Sequence, residues 1–196
     1  MYGALIVEDH ADLLTDGERV FMIDDMKLDK SNEFVKGGFF ARWKERHDGR
    51  EGDTVLINGK INPTVNLNAG QVERWRFINS SSAKYFLLSL GGREYRIIGT
   101  DGGLIERPIT VKESLLTPGE RLDILVGPFS EGDEFPIETL PYNRMTFVKP
   151  KRKVYANAKV GTQKQSKAKN FENFTTIKPL ASRAAEVTRK IKFSVD

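Results

Sequence analysis

Cysteine is absent from this 196-residue sequence, and histidine occurs only twice. A chain without cysteine forms no disulfide, offers no thiolate to a metal ion and has no cysteine nucleophile. Long apolar runs are absent as well. No stretch approaches the roughly 18 residues that a membrane-spanning helix needs, so we expect no membrane span.

A secretory signal pattern is also missing, since no basic region followed by an apolar stretch of about 7–15 residues opens the sequence. The sequence begins instead with MYGALIVED, which predicts a strand over residues 2–8. A natural domain rarely opens directly in a strand. We therefore expect the chain to be a piece of a longer protein, called here the parent protein.

Positive charge is concentrated in one segment. The sequence contains 31 Lys and Arg against 27 Asp and Glu, a formal net charge of +4. Eight of the basic residues and none of the acidic ones lie in 149–169, which leaves 23 basic and 27 acidic residues elsewhere, or −4. Such a segment could attract nucleic acid or an anionic membrane. It lacks the interleaved aromatic residues that stack on bases, so we interpret it as a solvated linker and expect no nucleic-acid partner.

The pattern of the whole chain is typical of an all-β sandwich or barrel with one core. Short β-rich runs bounded by turn residues predict strands over residues 2–8, 19–26, 54–57, 71–79, 85–90, 93–99, 110–115, 122–126, 145–148, 154–160 and 187–195. Gly91 and Gly92 separate two of these runs, which we expect to form a hairpin. Residues 34–50 predict a long charged surface loop with one helical turn.

Several connectors have the residues that tight turns require. Asn58 and Gly59 form a dipeptide typical of two-residue turns. Gly70 precedes a strand and can supply a positive φ, and Asp101 and Gly102 begin another turn.

The segment LTPGERLDILV combines a turn with an alternating strand. Pro118 fixes φ and Gly119 accepts the positive φ of a type II turn. We interpret the charged residues that follow, Glu120, Arg121 and Asp123, as structural anchors for neighbouring loops. A surface ion pair of this kind contributes about 0–1 kcal/mol.

Two long motifs carry a resemblance to a known family. The first is VLINGKINPTVNLNAGQVERWRFINSS, which begins at Val55, and the second is KYFLLSLGGREYRIIGTDGGLIERPITVKESLLTPGERLDILV, which ends at Val126. In order and spacing they resemble the middle cupredoxin-like domain of the multicopper oxidases, which include laccases and bacterial cuprous oxidases. MYGALIVED resembles the strand that closes the family's first domain, and FMIDDMKLD the strand that enters the second.

The resemblance implies a cupredoxin-like Greek-key β-sandwich and a division of the chain. Residues 1–9 correspond to the last strand of a preceding cupredoxin domain, and residues 10–148 to the middle domain. Residues 149–186 correspond to a basic linker, and residues 187–196 to the first strand of a following domain. An exported or periplasmic location is also implied.

The copper centres of the family need ligands that this chain lacks. A blue copper site uses two His and one Cys, and the trinuclear cluster is held by His-X-His pairs. The family places both in its first and third domains, so the resemblance implies copper in the parent protein and none in this chain. His10, which follows Glu8 and Asp9, is a weak candidate for an adventitious ion, with a solvated strand end as the alternative. We interpret His47 as an exposed loop residue.

The resemblance therefore implies a non-catalytic middle domain that positions the copper-bearing first and third domains. The parent protein would oxidise phenols or metal ions and reduce dioxygen to water. The alternative is a copper-free cupredoxin-like scaffold or binding protein of the cell envelope, since one fold hosts many functions. The expected partners are the two flanking domains, and apolar faces left uncovered would favour self-association of the fragment.

Overall fold

The computed structural model describes residues 3–7, 15–31, 33–35, 43, 45–47, 49–143, 151–169, 171–172, 174, 176–177 and 189–192. Within them the chain forms eleven strands. These are β1 (Gly17–Met26), β2 (Thr54–Ile57), β3 (Thr64–Ala69), β4 (Glu73–Asn79), β5 (Phe86–Ser89), β6 (Tyr95–Thr100), β7 (Gly103–Val111), β8 (Glu113–Leu116), β9 (Arg121–Val126), β10 (Glu134–Leu140) and β11 (Lys153–Gln163).

The strands form two facing mixed sheets, which confirms the predicted all-β sandwich. The six-stranded sheet has the order β2-β1-β4-β9-β6-β7, and the five-stranded sheet has the order β3-β11-β10-β5-β8. The pairs β1–β4 and β3–β11 are parallel, and the other neighbouring pairs are antiparallel. Because few neighbours are consecutive in sequence, the connections cross repeatedly between the sheets.

Strand β4 shows how the sequence builds the core. Its residues alternate between buried and partly exposed positions, so that Trp75 and Phe77 are fully buried between the sheets. The ring of Phe21 on β1 lies 5.0 Å from that of Trp75 and 4.9 Å from that of Phe77, measured between centroids. Aromatic packing of this kind stabilises the pairing of β1 with β4, in which Phe21 and Phe77 are direct partners.

Most predicted strands are confirmed, at residues 19–26, 54–57, 71–79, 85–90, 93–99, 122–126 and 154–160. The sequence analysis missed β3 and β10, and it merged the end of β7 with β8. Strands β7 and β10 contain Pro108 and Pro136, and proline lowers the strand preference of a segment. A helical turn includes Trp43 and residues 45–47, as predicted for the long loop.

The predicted hairpin across Gly91 and Gly92 is wrong. Strand β5 belongs to the five-stranded sheet and β6 to the six-stranded sheet, so the turn carries the chain across the core. The hydroxyl of Tyr95 donates to the carbonyl of Leu88 across this gap, at 3.2 Å. A Gly-Gly turn can join two strands of one sheet or two strands of facing sheets. Here both segments turn side chains inward, which favours strands in facing sheets.

The strand predicted at residues 2–8 is wrong for residues 3–7, which have no strand structure. An apolar pattern forms a strand only where a second strand supplies hydrogen bonds, and Leu5 and Val7 are 89% and 84% exposed. Residues 189–192 likewise form no strand, and the remainder of 187–195 lies outside the described residues. The strand predicted at 145–148 lies outside them entirely.

The linker assigned to residues 149–186 includes the strand predicted at 154–160, and residues 153–163 form β11. This strand lies between β10 and β3 in the five-stranded sheet. Its inward residues are small or aromatic, with Tyr155, Ala156 and Ala158 buried, while its lysines face outward. The sandwich therefore extends beyond residue 148.

Candidate functional site

The turn before β9 is closed by its own residues. Gly119 has a φ of 83°, and the N–H of Glu120 donates to the carbonyl of Thr117 at 3.0 Å, as in a type II turn with Pro118 at its first central position. The Glu120 carboxylate accepts hydrogen bonds from the backbone N–H and the hydroxyl of Thr117, at 2.7 and 2.9 Å. Glu120 thus holds its own turn and not a neighbouring loop.

Arg121 joins this turn to the connection between β6 and β7. Its guanidinium lies 2.9 Å from a carboxylate oxygen of Asp101, and its backbone N–H donates to the same oxygen at 2.8 Å. Gly102 follows in the connecting turn. Both charged side chains are about half exposed, so solvent screens the pair and it contributes about 0–1 kcal/mol. Its main effect is to align two turns at one end of the sandwich.

Asp123 belongs to a charged row on the outer face of the six-stranded sheet. It forms an ion pair with Arg74, whose guanidinium also lies 3.4 Å from Glu18. Glu18 in turn lies 3.1 Å from Arg76. Opposite charges on adjacent strands stabilise the pairing of β1, β4 and β9. The row alternates in sign and offers no surface of a single charge.

Asn58, Gly59 and Gly70 lie at other places. Both Asn58 and Gly59 have positive φ, and the Asn58 side chain accepts from the N–H of Met22 at 2.8 Å and donates to the carbonyl of Val20 at 2.7 Å. This turn is therefore fastened to β1. Gly70 has a φ of 76° and donates its N–H to the carbonyl of Phe129 at 2.9 Å. Of the predicted residues that the structure describes, those of the β6–β7 and β9 turns lie together, and Asn58, Gly59 and Gly70 lie apart from them.

Asn79 is a central residue that the sequence analysis missed. It is fully buried at the end of β4. Its side chain donates to the carbonyls of Lys84 and Leu116, at 2.8 and 3.1 Å, and accepts from the N–H of Ser81 at 3.0 Å. Its backbone exchanges hydrogen bonds with Gly119 and Glu120. The sequence does indicate this role, because Asn79 is an amide at an inward position of the alternating segment WRFIN.

Glu73 is a second buried polar residue that was missed. It is 6% exposed, and its carboxylate accepts from Arg19 at 2.6 and 3.0 Å and from the indole N–H of Trp75 at 2.8 Å. Two parallel bonds from one guanidinium make this a strong, directional pair. It closes the end of the core opposite Asn79 on the same strand. An inward glutamate in ERWRFIN was the signal.

A cleft of about 320 Å³ lies where β1 ends, lined by Asp24, Asp25, Met26, Lys27, Phe34, Arg50, Gly52, Ser80 and Ser82. Burial raises the pKa of Asp24, against a hydrogen bond from the N–H of Asp25 that lowers it. Asp25 accepts from the N–H of Gly52. The hydroxyl of Ser80 donates to the carbonyl of Ile23 at 2.8 Å, so its proton is already engaged. These contacts join loops to the end of β1.

The side chains present do not fit a copper centre of either type. The sequence contains no cysteine and two histidines, whereas a blue copper site uses a thiolate with two imidazoles. His47 lies beside Trp43, with ring centroids 6.0 Å apart. His10 lies outside the described residues, within which no group of three or more His, Cys, Asp and Glu could hold a metal ion.

Part of the basic segment is engaged in the sandwich. Arg152 binds the buried carboxylate of Glu138 through two hydrogen bonds of 2.6 and 3.0 Å, which raise the pKa of Arg152. Lys159 lies 3.0 Å from Glu134, and Lys153 donates to the carbonyl of Asp53. Three of the basic side chains in this segment are therefore used within the fold. No helix among the described residues is long and apolar enough to cross a membrane.

Comparison with sequence families agrees with this fold. The family described as "Cu-oxidase: Multicopper oxidase" matches residues 17–168, which cover the whole sandwich from β1 to β11.

Curated relatives match a shorter part of the chain. "Cell division protein FtsP" of Escherichia coli (strain K12) is 37% identical over 122 residues, which cover 59% of this chain and 23% of that protein. FtsP of Photorhabdus laumondii is 42% identical over 84 residues, covering 42% of this chain and 17% of that protein. The match thus spans about a fifth of the length of these relatives.

Solved structures share the fold over most of the chain. The McoA multicopper oxidase 2F4 variant from Aquifex aeolicus superposes with a TM-score of 0.77 at 25% identity, covering 89% of this chain and 40% of that one. A multicopper oxidase from Campylobacter jejuni, a metallo-oxidase, gives a TM-score of 0.70 at 29% identity, covering 84% of this chain and 34% of that one. The sandwich is therefore cupredoxin-like, and this chain belongs to the multicopper oxidase family.

Proposed function

We propose that this chain is the non-catalytic middle domain of a multicopper oxidase-like protein and that it positions the copper-bearing domains on either side. One observation carries the proposal. The chain matches the family across its whole sandwich, spans 34–40% of the two solved oxidases, and lacks the donor set for copper. The family binds copper, so its ligands would come from other parts of the parent protein.

The structure supports a positional role through the way its turns are fixed. Asn79 ties the end of β4 to the turn before β9, and Arg121 ties that turn to Asp101. Glu73 closes the other end of β4 with Arg19. Both ends of the central strands are thus held by directional hydrogen bonds, as a spacer between two reactive domains requires.

The histidines allow a direct test in the longest protein obtainable from the source gene. Replacing both, as His10→Ala with His47→Ala, removes every imidazole of this segment. We expect the copper content per molecule and the rate of oxygen consumption to stay at the values of the unmodified protein. A loss of copper on this double substitution would show that the segment supplies ligands and would overturn the proposal.

A second candidate is a copper-free scaffold of the cell envelope. The observation that favours it is the name "Cell division protein" carried by relatives that are 37–42% identical over 84–122 residues. The two candidates predict opposite results for the longest gene product. An oxidase contains copper and consumes oxygen with a phenol or a reduced metal ion, whereas a scaffold does neither.

The partners proposed are the first and third cupredoxin domains of the parent protein, with an exported or periplasmic location. Exposed apolar residues on the isolated chain, such as Ile109 and Ile177 at 55% and 56%, would favour self-association. We expect sedimentation velocity to show a mass that grows with protein concentration. A monomer at every concentration would contradict this expectation.

A further inference from the structure

The chain continues past β11 across the outside of the six-stranded sheet. We call the described residues of 164–177 the strap. The strap begins where the N–H of Lys164 donates to the carbonyl of Ala69 at 3.0 Å, beside the last residues of β11. Composition alone describes this segment as a polar linker, but its described residues make specific contacts at both ends and in the middle.

The first end of the strap is fastened by Asp16, just before β1. One oxygen of this carboxylate accepts from the hydroxyl of Ser166, and the other accepts from the N–H of Lys167, each at 2.6 Å. Asp16 also exchanges two hydrogen bonds of 2.8 Å with the backbone of Val72. One side chain therefore connects the strap to the sheet.

The middle of the strap packs into an apolar groove. Ile98 on β6 and Leu125 on β9 are 0% and 1% exposed although they lie on the outer side of the sheet, because Phe171 and Phe174 pack with them. Phe171 is itself 7% exposed, and its ring lies 5.9 Å from that of Phe174. The partly buried neighbours Val72, Leu104 and Ala168 complete this second core.

The far end is held at the edge strand β7. The N–H of Phe174 donates to the carbonyl of Glu106 at 3.1 Å, and the N–H of Ile177 donates to the Glu106 carboxylate at 2.7 Å. The strap thus crosses from the start of β1 to β7, over β9 and β6. Hydrogen bonds at both ends hold the strap in one position on the sheet. An apolar segment bound by hydrophobic contact alone would have no such fixed position.

We infer that the part of the outer face of the six-stranded sheet around Ile98 and Leu125 is a docking groove, and that its occupant is the chain's own strap, through Phe171 and Phe174. The strap is its cover, and it sets the point at which the chain leaves the sandwich beside β7. This last consequence rests on the proposed function, since the direction of exit matters only if another domain follows. The docking itself does not depend on copper.

Hydrogen exchange on the full chain tests the docking. In the wild type we expect protection of the amides of Lys167, Phe174 and Ile177. In Phe171→Ala with Phe174→Ala we expect these amides to exchange at least about tenfold faster, while the amides of β4 keep their protection. The matched control is Phe34→Ala, which removes a phenylalanine that is 62% exposed and should leave all of these rates unchanged.

A second variant and a peptide keep the test decisive if the double substitution impairs folding. Asp16→Asn preserves shape but weakens the first anchor, and it should speed exchange at Lys167. A synthetic peptide of residues 164–177 should bind the released-strap variant and not the wild type, whose groove is filled. Strap amides as unprotected as a free peptide in the wild type, or equal peptide binding to both proteins, would overturn the inference. Neither outcome bears on the copper content that tests the proposed function.

Discussion

Asn79 forms side-chain hydrogen bonds with three backbone groups around the end of β4. Replacing it with alanine leaves the carbonyls of Lys84 and Leu116 and the N–H of Ser81 without their side-chain partner. A buried group left unsatisfied costs about 1–3 kcal/mol. We therefore expect Asn79→Ala to lower the free energy of unfolding by about 2–4 kcal/mol, measured by urea denaturation.

The matched control is an asparagine at the surface. Asn157 lies in β11 with an exposed side chain, so Asn157→Ala should change the free energy of unfolding by less than about 0.5 kcal/mol. Equal losses for the two variants would mean that strand preference, and not the buried hydrogen bonds, determines the effect at Asn79.

Substitutions at two turn glycines distinguish the effect of backbone conformation from the effect of steric space. Alanine at either Gly119 or Gly102 meets no atom within 4 Å, but only Gly119 has a positive φ, 83°. A left-handed conformation costs a residue with a Cβ about 1–2 kcal/mol. We expect Gly119→Ala to destabilise the protein by about that amount and Gly102→Ala to be neutral or slightly stabilising, compared by thermal unfolding. The reverse order would contradict the type II turn.

At the scale of elements, the strap has a pH dependence that follows from Asp16. Burial raises the pKa of Asp16, but hydrogen bonds from Ser166, Val72, Lys167 and Ala168 outweigh it and lower the pKa below 3.8. The folded chain therefore binds this proton less readily than the unfolded chain. The stabilisation is complete above the pKa of the unfolded state, about 3.9, and is lost as pH falls through the folded pKa.

Urea denaturation from about pH 3 to about pH 7 measures this dependence. We expect wild type to exceed Asp16→Asn in stability at neutral pH and the difference to shrink below about pH 4. A difference that stays constant, or that grows on acidification, would exclude Asp16 as the anchor. Asp29→Asn is the control, because the hydrogen bonds that Asp29 accepts from Ser31 and Glu33 lie within an exposed local turn.

Which strands the sequence predicted depends on how local their signals are. Strand β4 alternates between buried and partly exposed residues, and this pattern is visible in a few residues of its sequence. Strands β7 and β10 contain proline, which weakens the local strand signal, and β10 also pairs with β5, which is distant in sequence. The strand at 154–160 was predicted, but the lysines around it favoured a linker outside the sandwich, because outward charges say nothing about the sheet that the backbone joins.

At the scale of the whole molecule, the motifs predicted the fold and the family but not the contacts that hold the ends of the sandwich together. Asn79, Glu73 and Asp16 act on residues 37 to 151 positions away in several of their bonds. No spacing rule in the sequence reveals such partners. Turn residues such as Gly119 were predictable because their backbone requirement is local.

The central claim is that this chain holds its neighbours in place and supplies none of the copper ligands. Copper content and oxygen consumption, measured in parallel on this chain and on the longest product of its gene, test that claim most directly. We predict copper and oxygen consumption in the long product and neither in this chain. Stoichiometric copper bound by this chain alone would contradict the claim, and a long product without copper would replace it with the scaffold candidate.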